Sequence, residues 1–228
     1  MSPQAPSRSL PPEGALGSGP AEPDPRRCSV STSRVADAYI ANGPNDTVAL
    51  VVMGVSGCGK SHVGAAVAQR LSLPMVEGDD FHAEAHRAGM REGIALTDAQ
   101  RVGWLDRLAA ELQARPGGAV LTCSALKAAY RDRLRAAAPG LRFAWLDLDA
   151  AAARARVAQR PGHFFPPSLV ATQFEAFEPP WGEPGVLRLD ALQPPDELAA
   201  QVLGWLAGPA PSLRQSPSAS RRNAAMRS

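Results

Sequence analysis

The sequence of 228 residues predicts an α/β fold of three layers, a parallel sheet with helices on both faces. Two observations carry that reading. Short apolar runs of strand length alternate along the chain with longer segments in which apolar residues recur at helical spacing. Several of the runs end in acids or in a glycine-rich turn, at the strand ends where open α/β sheets bind ligands.

The first run, Val48 to Met53, reads as a buried strand. It leads into Gly54-Val55-Ser56-Gly57-Cys58-Gly59-Lys60-Ser61, which fits the phosphate-loop pattern G-x-x-x-x-G-K-[ST]. Val63, Val67 and Leu71 follow at helical spacing, so a helix is expected from near Lys60. Glycines let successive backbone N–H groups turn inward, and the helix N-terminus adds its positive dipole end. A nucleoside triphosphate is the ligand this turn suits. All eight loop residues are candidates to hold ATP, with Lys60 on the β- and γ-phosphates and Ser61 on Mg²⁺.

Leu73 to Glu77 reads as a second strand that delivers Glu77 and Asp79 to the same edge. Phosphoryl transfer needs positioning and charge neutralisation more than covalent chemistry, so acids near the loop are of interest. Glu77 is a candidate for holding Mg²⁺, and Asp79 for taking a hydroxyl proton from an acceptor. A helix cap is the competing role for Asp79, and Asp80 suits it better, ahead of a helix expected at Phe81. Further helix is expected over Glu84 to Arg91. Thr97 or Asp98 then caps a helix with Trp104, Leu105, Leu108 and Leu112 on one face, which Arg115-Pro116-Gly117-Gly118 ends.

Ala119 to Thr122 is the next strand, and Leu126, Tyr130 and Leu134 mark a helix after it. Leu141 to Leu146 forms another strand, ending at Asp147 and Asp149. An alanine-rich helix carries Arg154, Arg156 and Arg160 up to a break at Pro161-Gly162-His163-Phe164-Phe165-Pro166-Pro167. A lid at about residues 157–172 could bring Arg156 onto the nucleotide and Arg160 onto the transferring phosphate, excluding water. The last elements are a strand at Val186 to Leu189 and a helix with Leu198, Val202 and Leu206.

The domain built on the phosphate loop is expected at residues 45–207, between extensions at 1–44 and 208–228 that are too poor in large apolar residues to order themselves. The second extension is basic, with Arg214, Arg221, Arg222 and Arg227, but nothing else suggests a nucleic-acid reader. Three scattered cysteines fit neither a disulfide framework nor a zinc site, and no apolar run approaches the roughly 20 residues a membrane helix needs. A cytoplasmic protein without membrane contact is expected. Cys58 lies at a helix N-terminus, where thiol pKa values tend to fall, so its oxidation could block ATP. No Asn-Lys-x-Asp segment follows the later strands, which argues against a guanine-specific site.

The blocks Met53–Ser61, Gly78-Asp79-Asp80-Phe81-His82, Leu96-Thr97-Asp98 with Arg101 and Trp104-Leu105, Cys123-Ser124-Ala125-Leu126-Lys127 with Tyr130-Arg131-Asp132, and Arg160-Pro161-Gly162-His163-Phe164-Phe165 with Thr172-Gln173-Phe174-Glu175 recur in this order in one family. The chain resembles the bacterial-type gluconate kinases, a group similar in fold to nucleoside-monophosphate and shikimate kinases. That resemblance implies ATP- and Mg²⁺-dependent phosphorylation of D-gluconate at its 6-hydroxyl, feeding the pentose-phosphate or Entner–Doudoroff routes, in a homodimer. It also strengthens the lid roles of Arg156 and Arg160.

A site for an acidic polyol should present cations to the carboxylate, with carboxylates and amides for the hydroxyls. Lys127, Arg131 and Arg135 share a helix face by their spacing and are expected to form an anion-binding stripe. Asp79, His82 and Gln173 are candidates for hydroxyl contacts. The chain departs from the family's pattern at Ala83, His86, Gly89, Ala95, Gln100 and Gly103, mostly in the segment toward the acceptor. Two competing readings remain: a kinase for another small sugar acid or polyol, and a nucleotide-binding relative without gluconate kinase activity.

Overall fold

The computed structural model describes residues 47–159 and 165–208. Strands β1 (Ala49–Met53), β2 (Met75–Glu77), β3 (Ala119–Thr122), β4 (Arg142–Asp147) and β5 (Val186–Asp190) form one sheet in the order β2-β3-β1-β4-β5. Every pairing is parallel, with Val51 of β1 in register with Leu121 and Phe143. All five C-terminal ends therefore lie along one edge, with the end of β1 in the middle.

Alternation along the strands separates two apolar clusters. On one face Leu50, Val52, Ala144 and Leu146 pack with Val63 and Val67 of α1 (Lys60–Leu71) and with Leu198 and Val202 of α7 (Pro195–Leu206). Across the sheet, Val51, Met53, Leu121 and Phe143 pack with Trp104, Leu105 and Leu108 of α3 (Asp98–Gln113) and with Tyr130 and Leu134 of α4 (Ala128–Ala137). Of the four helical stripes expected from spacing, every named residue is buried except Leu71, which is partly buried. None of the helices among the described residues is long and apolar enough to cross a membrane.

The start of α3 is a capping box. The Gln100 N–H donates to Thr97 Oγ1 at 3.3 Å, and the Thr97 N–H donates to Gln100 Oε1 at 2.9 Å. The amide at position 100, one of the departures from the family's pattern, thus closes the same ring that a glutamate would.

Three local readings need correction. Gly78–Phe81 is a short 3₁₀ turn, and α2 (Glu84–Arg91) has Ala83 at its N-cap, so Asp80 caps no helix. The reason is close approach: a Cβ on Gly78 would lie 2.1 Å from the Thr122 carbonyl oxygen, so the chain must pass tightly over β3 before a helix can start. After α5 (Ala150–Ala158), capped by Asp149 through the Ala152 N–H at 2.8 Å, a further helix, α6 (Ser168–Ala176), begins inside the segment expected to be lid and runs past its end. Third, Arg131 faces inward, as described below. The expected extensions, 1–44 and nearly all of 208–228, and the middle of the expected lid, 160–164, lie outside the described residues.

Candidate active site

The chain leaves β1 into the phosphate loop, and Gly59, with φ of +98°, caps α1. Gly57 has φ of +85°, and a Cβ there would sit 3.0 Å from the Ala153 carbonyl oxygen and 3.1 Å from Val157 Cγ2. Only glycine permits both that backbone and the contact with α5. Lys60 reaches back over the loop, its Nζ donating to the carbonyl oxygens of Gly54 and Val55, each at 3.1 Å. Val55 and Cys58 are buried beneath the loop, while Ser56, Gly57, Gly59, Lys60 and Ser61 line a cavity. Asp79 lines the same cavity from the end of β2, and Val157 closes another side.

A second cavity adjoins the first at Gly57 and Gly59, and Arg156 lines it together with Cys58, His62, Gln159 and Gln193. Gln159 and Gln193 were missed from the sequence. The proline pair at the start of α7 marks where that helix begins, but no local pattern places the turn before it beside the loop. Arg160, the expected lid arginine for the transferring phosphate, lies outside the described residues.

Glu77 ends β2 and accepts a short hydrogen bond from the Thr122 hydroxyl, which itself accepts from the Gly78 N–H at 3.2 Å. This pair fixes the turn that presents Asp79. Among the described residues no group of three or more His, Cys, Asp or Glu side chains could hold a metal ion. The donor set at the loop, the Ser61 hydroxyl with Asp79 on the same cavity, instead suits Mg²⁺ that shares its ligands with nucleotide phosphates and water.

His82 is packed flat on Trp104, with ring centroids 4.5 Å apart, and its Nε2 lies 4.0 Å from Asp79 Oδ1. Burial first, then the charges of His86, Arg87, Arg107 and Arg101, push its pKa down to about 4. His82 is therefore a neutral imidazole at neutral pH, beside a carboxylate whose side chain is 41% exposed. Gln173, expected to meet a substrate hydroxyl, is buried on α6, and its Oε1 accepts from the Ser56 N–H at 2.7 Å.

The expected cationic stripe is not an open face. Arg131 is only 1% exposed; it donates through Nε and Nη2 to the Glu183 carboxylate and through Nη1 to the Ala125 carbonyl oxygen at 2.9 Å. Arg135 adds a hydrogen bond to Glu183 Oε2 at 2.7 Å, and Lys127 Nζ donates to Asp98 Oδ2 at 2.7 Å. Burial raises the pKa of the Glu183 carboxyl, but the hydrogen bonds from Arg131 and Arg135 outweigh it and hold that pKa low. These cations pair with acids distant in sequence, which helical spacing could not reveal. Cys58 also corrects its expectation, since burial raises its thiol pKa despite the opposing pull of Lys60 and Arg156.

Residues 50–180 match the family model described as AAA domain. The thermosensitive gluconokinase of Escherichia coli is 41% identical over 144 residues, spanning 61% of this chain and 77% of that protein. The gluconokinase of Gluconobacter oxydans is 39% identical over 158 residues, spanning 68% and 88%. The chain belongs to the gluconokinase family. A crystal structure of a gluconokinase from Sinorhizobium meliloti, 43% identical, superposes with a TM-score of 0.65 over 71% of this chain and 92% of that one. Family membership accounts for the phosphate loop with its Lys60, and for the sheet order that puts β2 and its acids at one edge.

Proposed function

We infer that the protein is a gluconate kinase that transfers the γ-phosphoryl group of ATP to the 6-hydroxyl of D-gluconate, yielding 6-phospho-D-gluconate and ADP. The observation that carries this reading is the cavity in which the phosphate loop meets Asp79, in a chain whose relatives are gluconokinases. Loop N–H groups and Lys60 bind and neutralise the phosphates, and Asp79 takes the hydroxyl proton as the acceptor oxygen bonds to phosphorus and the bond to ADP breaks. Mg²⁺, held by Ser61 with Glu77 acting through water, would supply further charge neutralisation on the phosphates.

His82 orients the acceptor beside Asp79 as a neutral donor or acceptor, which suits a hydroxyl. The lid at about 157–172 closes on the nucleotide with Arg156 and Arg160, excluding water from the transferring group. A homodimer in the cytoplasm completes the reading. Its support is the resemblance of the five sequence blocks.

The test is a coupled assay of the purified chain with ATP, Mg²⁺ and gluconate, read through 6-phosphogluconate dehydrogenase. Other aldonates, small polyols and shikimate run in parallel through an ADP-linked assay. Turnover of gluconate above all others is the expected result. A higher kcat/KM for another acceptor would overturn the assignment of substrate.

A further inference from the structure

The hydrogen bond between the Ser56 N–H and Gln173 Oε1 joins the phosphate loop to α6 at 2.7 Å. Gln173 is 9% exposed, and Ser56 lines the cavity that Asp79 enters. α6 packs on α5, whose Val157 lines that cavity and whose Arg156 lines the adjoining one. One side-chain amide therefore links the donor loop to the helix that ends the expected lid.

A loop N–H of this kind is a donor that a phosphoryl oxygen takes when nucleotide binds. The amide oxygen, with its partial negative charge, and an anionic phosphoryl oxygen compete for the single hydrogen. An amide differs from a carboxylate in having a second face: its nitrogen carries two N–H donors. Turning about its last torsion exchanges an acceptor for a donor without moving the backbone.

Gly59 caps α1 and Lys60 and Ser61 begin it, while Ser56 lies earlier in the loop; all four line the cavity that Asp79 enters. We propose that Gln173 is a positioning residue that distinguishes a triphosphate from a diphosphate. The terminal phosphoryl group takes the Ser56 N–H from Oε1, the amide turns, and its Nε2 donors then face the transferring group. ADP leaves the Ser56 to Gln173 bond in place. The proposal rests on the phosphoryl-transfer reading but not on the identity of the acceptor.

The experiment is calorimetric titration of the full chain with ATP and with ADP, each with Mg²⁺ and without acceptor, in the parent and in Gln173→Glu and Gln173→Met. Glutamate keeps an oxygen for Ser56 and replaces the donors by a charge. ATP affinity should fall about tenfold or more in Gln173→Glu while ADP affinity changes less than about threefold. Methionine, of similar length with neither donor nor strong acceptor, should lower the ratio of ATP to ADP affinity toward one. A purely packing role would weaken both nucleotides equally and lower the melting temperature, and that outcome overturns the proposal. So does unchanged ATP affinity in both variants. If glutamate prevents folding, the methionine variant decides. Because no acceptor is present, failure of gluconate turnover leaves this result untouched.

Discussion

The Trp104 indole N–H donates to the Gly78 carbonyl oxygen at 2.8 Å while the same ring stacks on His82. One side chain of α3 thus holds both ends of the turn that carries Asp79. Trp104→Phe keeps an aromatic surface for His82 and leaves the Gly78 carbonyl without its donor. A loss of about 2 kcal/mol is expected in urea unfolding, with a raised KM for gluconate and little change in KM for ATP. Equal stability of the two proteins would remove this bond from the account.

Stability should depend on pH through His82. Its folded pKa is pushed down to about 4 from an ordinary value of 6.5, so between those values the unfolded chain binds a proton that the folded chain does not. The contribution is full above pH 6.5 and is lost as pH falls toward 4. Melting temperature in the parent should drop more steeply across that window than in His82→Gln. Parallel curves would contradict the burial of a neutral imidazole.

Asp79→Asn should lower kcat by about 100-fold or more, with ATP affinity changed less than about threefold, because a proton acceptor is removed and no phosphate contact is. Lys60→Ala should abolish measurable turnover with the circular dichroism spectrum retained. Matched losses of ATP binding and kcat in Asp79→Asn would move that residue to the metal's shell.

Arg131 and Lys127 should separate cleanly: Arg131 is buried on α4, whereas Lys127 is the extended residue at its N-cap. Arg131→Ala leaves Glu183 with Arg135 alone and opens a buried site, for a cost of about 3 kcal/mol measured by denaturant. Lys127→Ala breaks an exposed pair with Asp98 and should leave the denaturant midpoint close to that of the parent. A raised KM for gluconate confined to the lysine variant would identify Lys127 as the cation that reads the carboxylate.

Strands β1 and β3, the stripe on α3 and the loop from Gly54 to Ser61 were legible because each is written in local spacing: apolar runs, apolar residues three and four apart, glycines at fixed offsets. The pairing of Arg131 with Glu183 was not legible, because the partners are 52 residues apart and the match is made by the fold. Gly78 misled for a related reason. Its neighbours Asp79 and Asp80 have the composition of a helix cap, but the Thr122 carbonyl oxygen beneath the glycine forces a tight turn that only β3 could dictate. α6 was hidden by the prolines before it, although Leu169, Val170 and Gln173 are its buried residues at helical spacing.

The sheet order carries a consequence for substitutions. The nucleotide-binding loop hangs from β1 at the centre, paired on both sides, whereas the segment bearing Asp79, His82 and the departures at Ala83, His86 and Gly89 hangs from the three-residue β2 at the edge. Mutations there disturb few neighbours of the central strands. On the proposed assignment of roles, substitutions after β2 can change how an acceptor is held while the strand that carries the phosphate loop stays braced by β3 and β4.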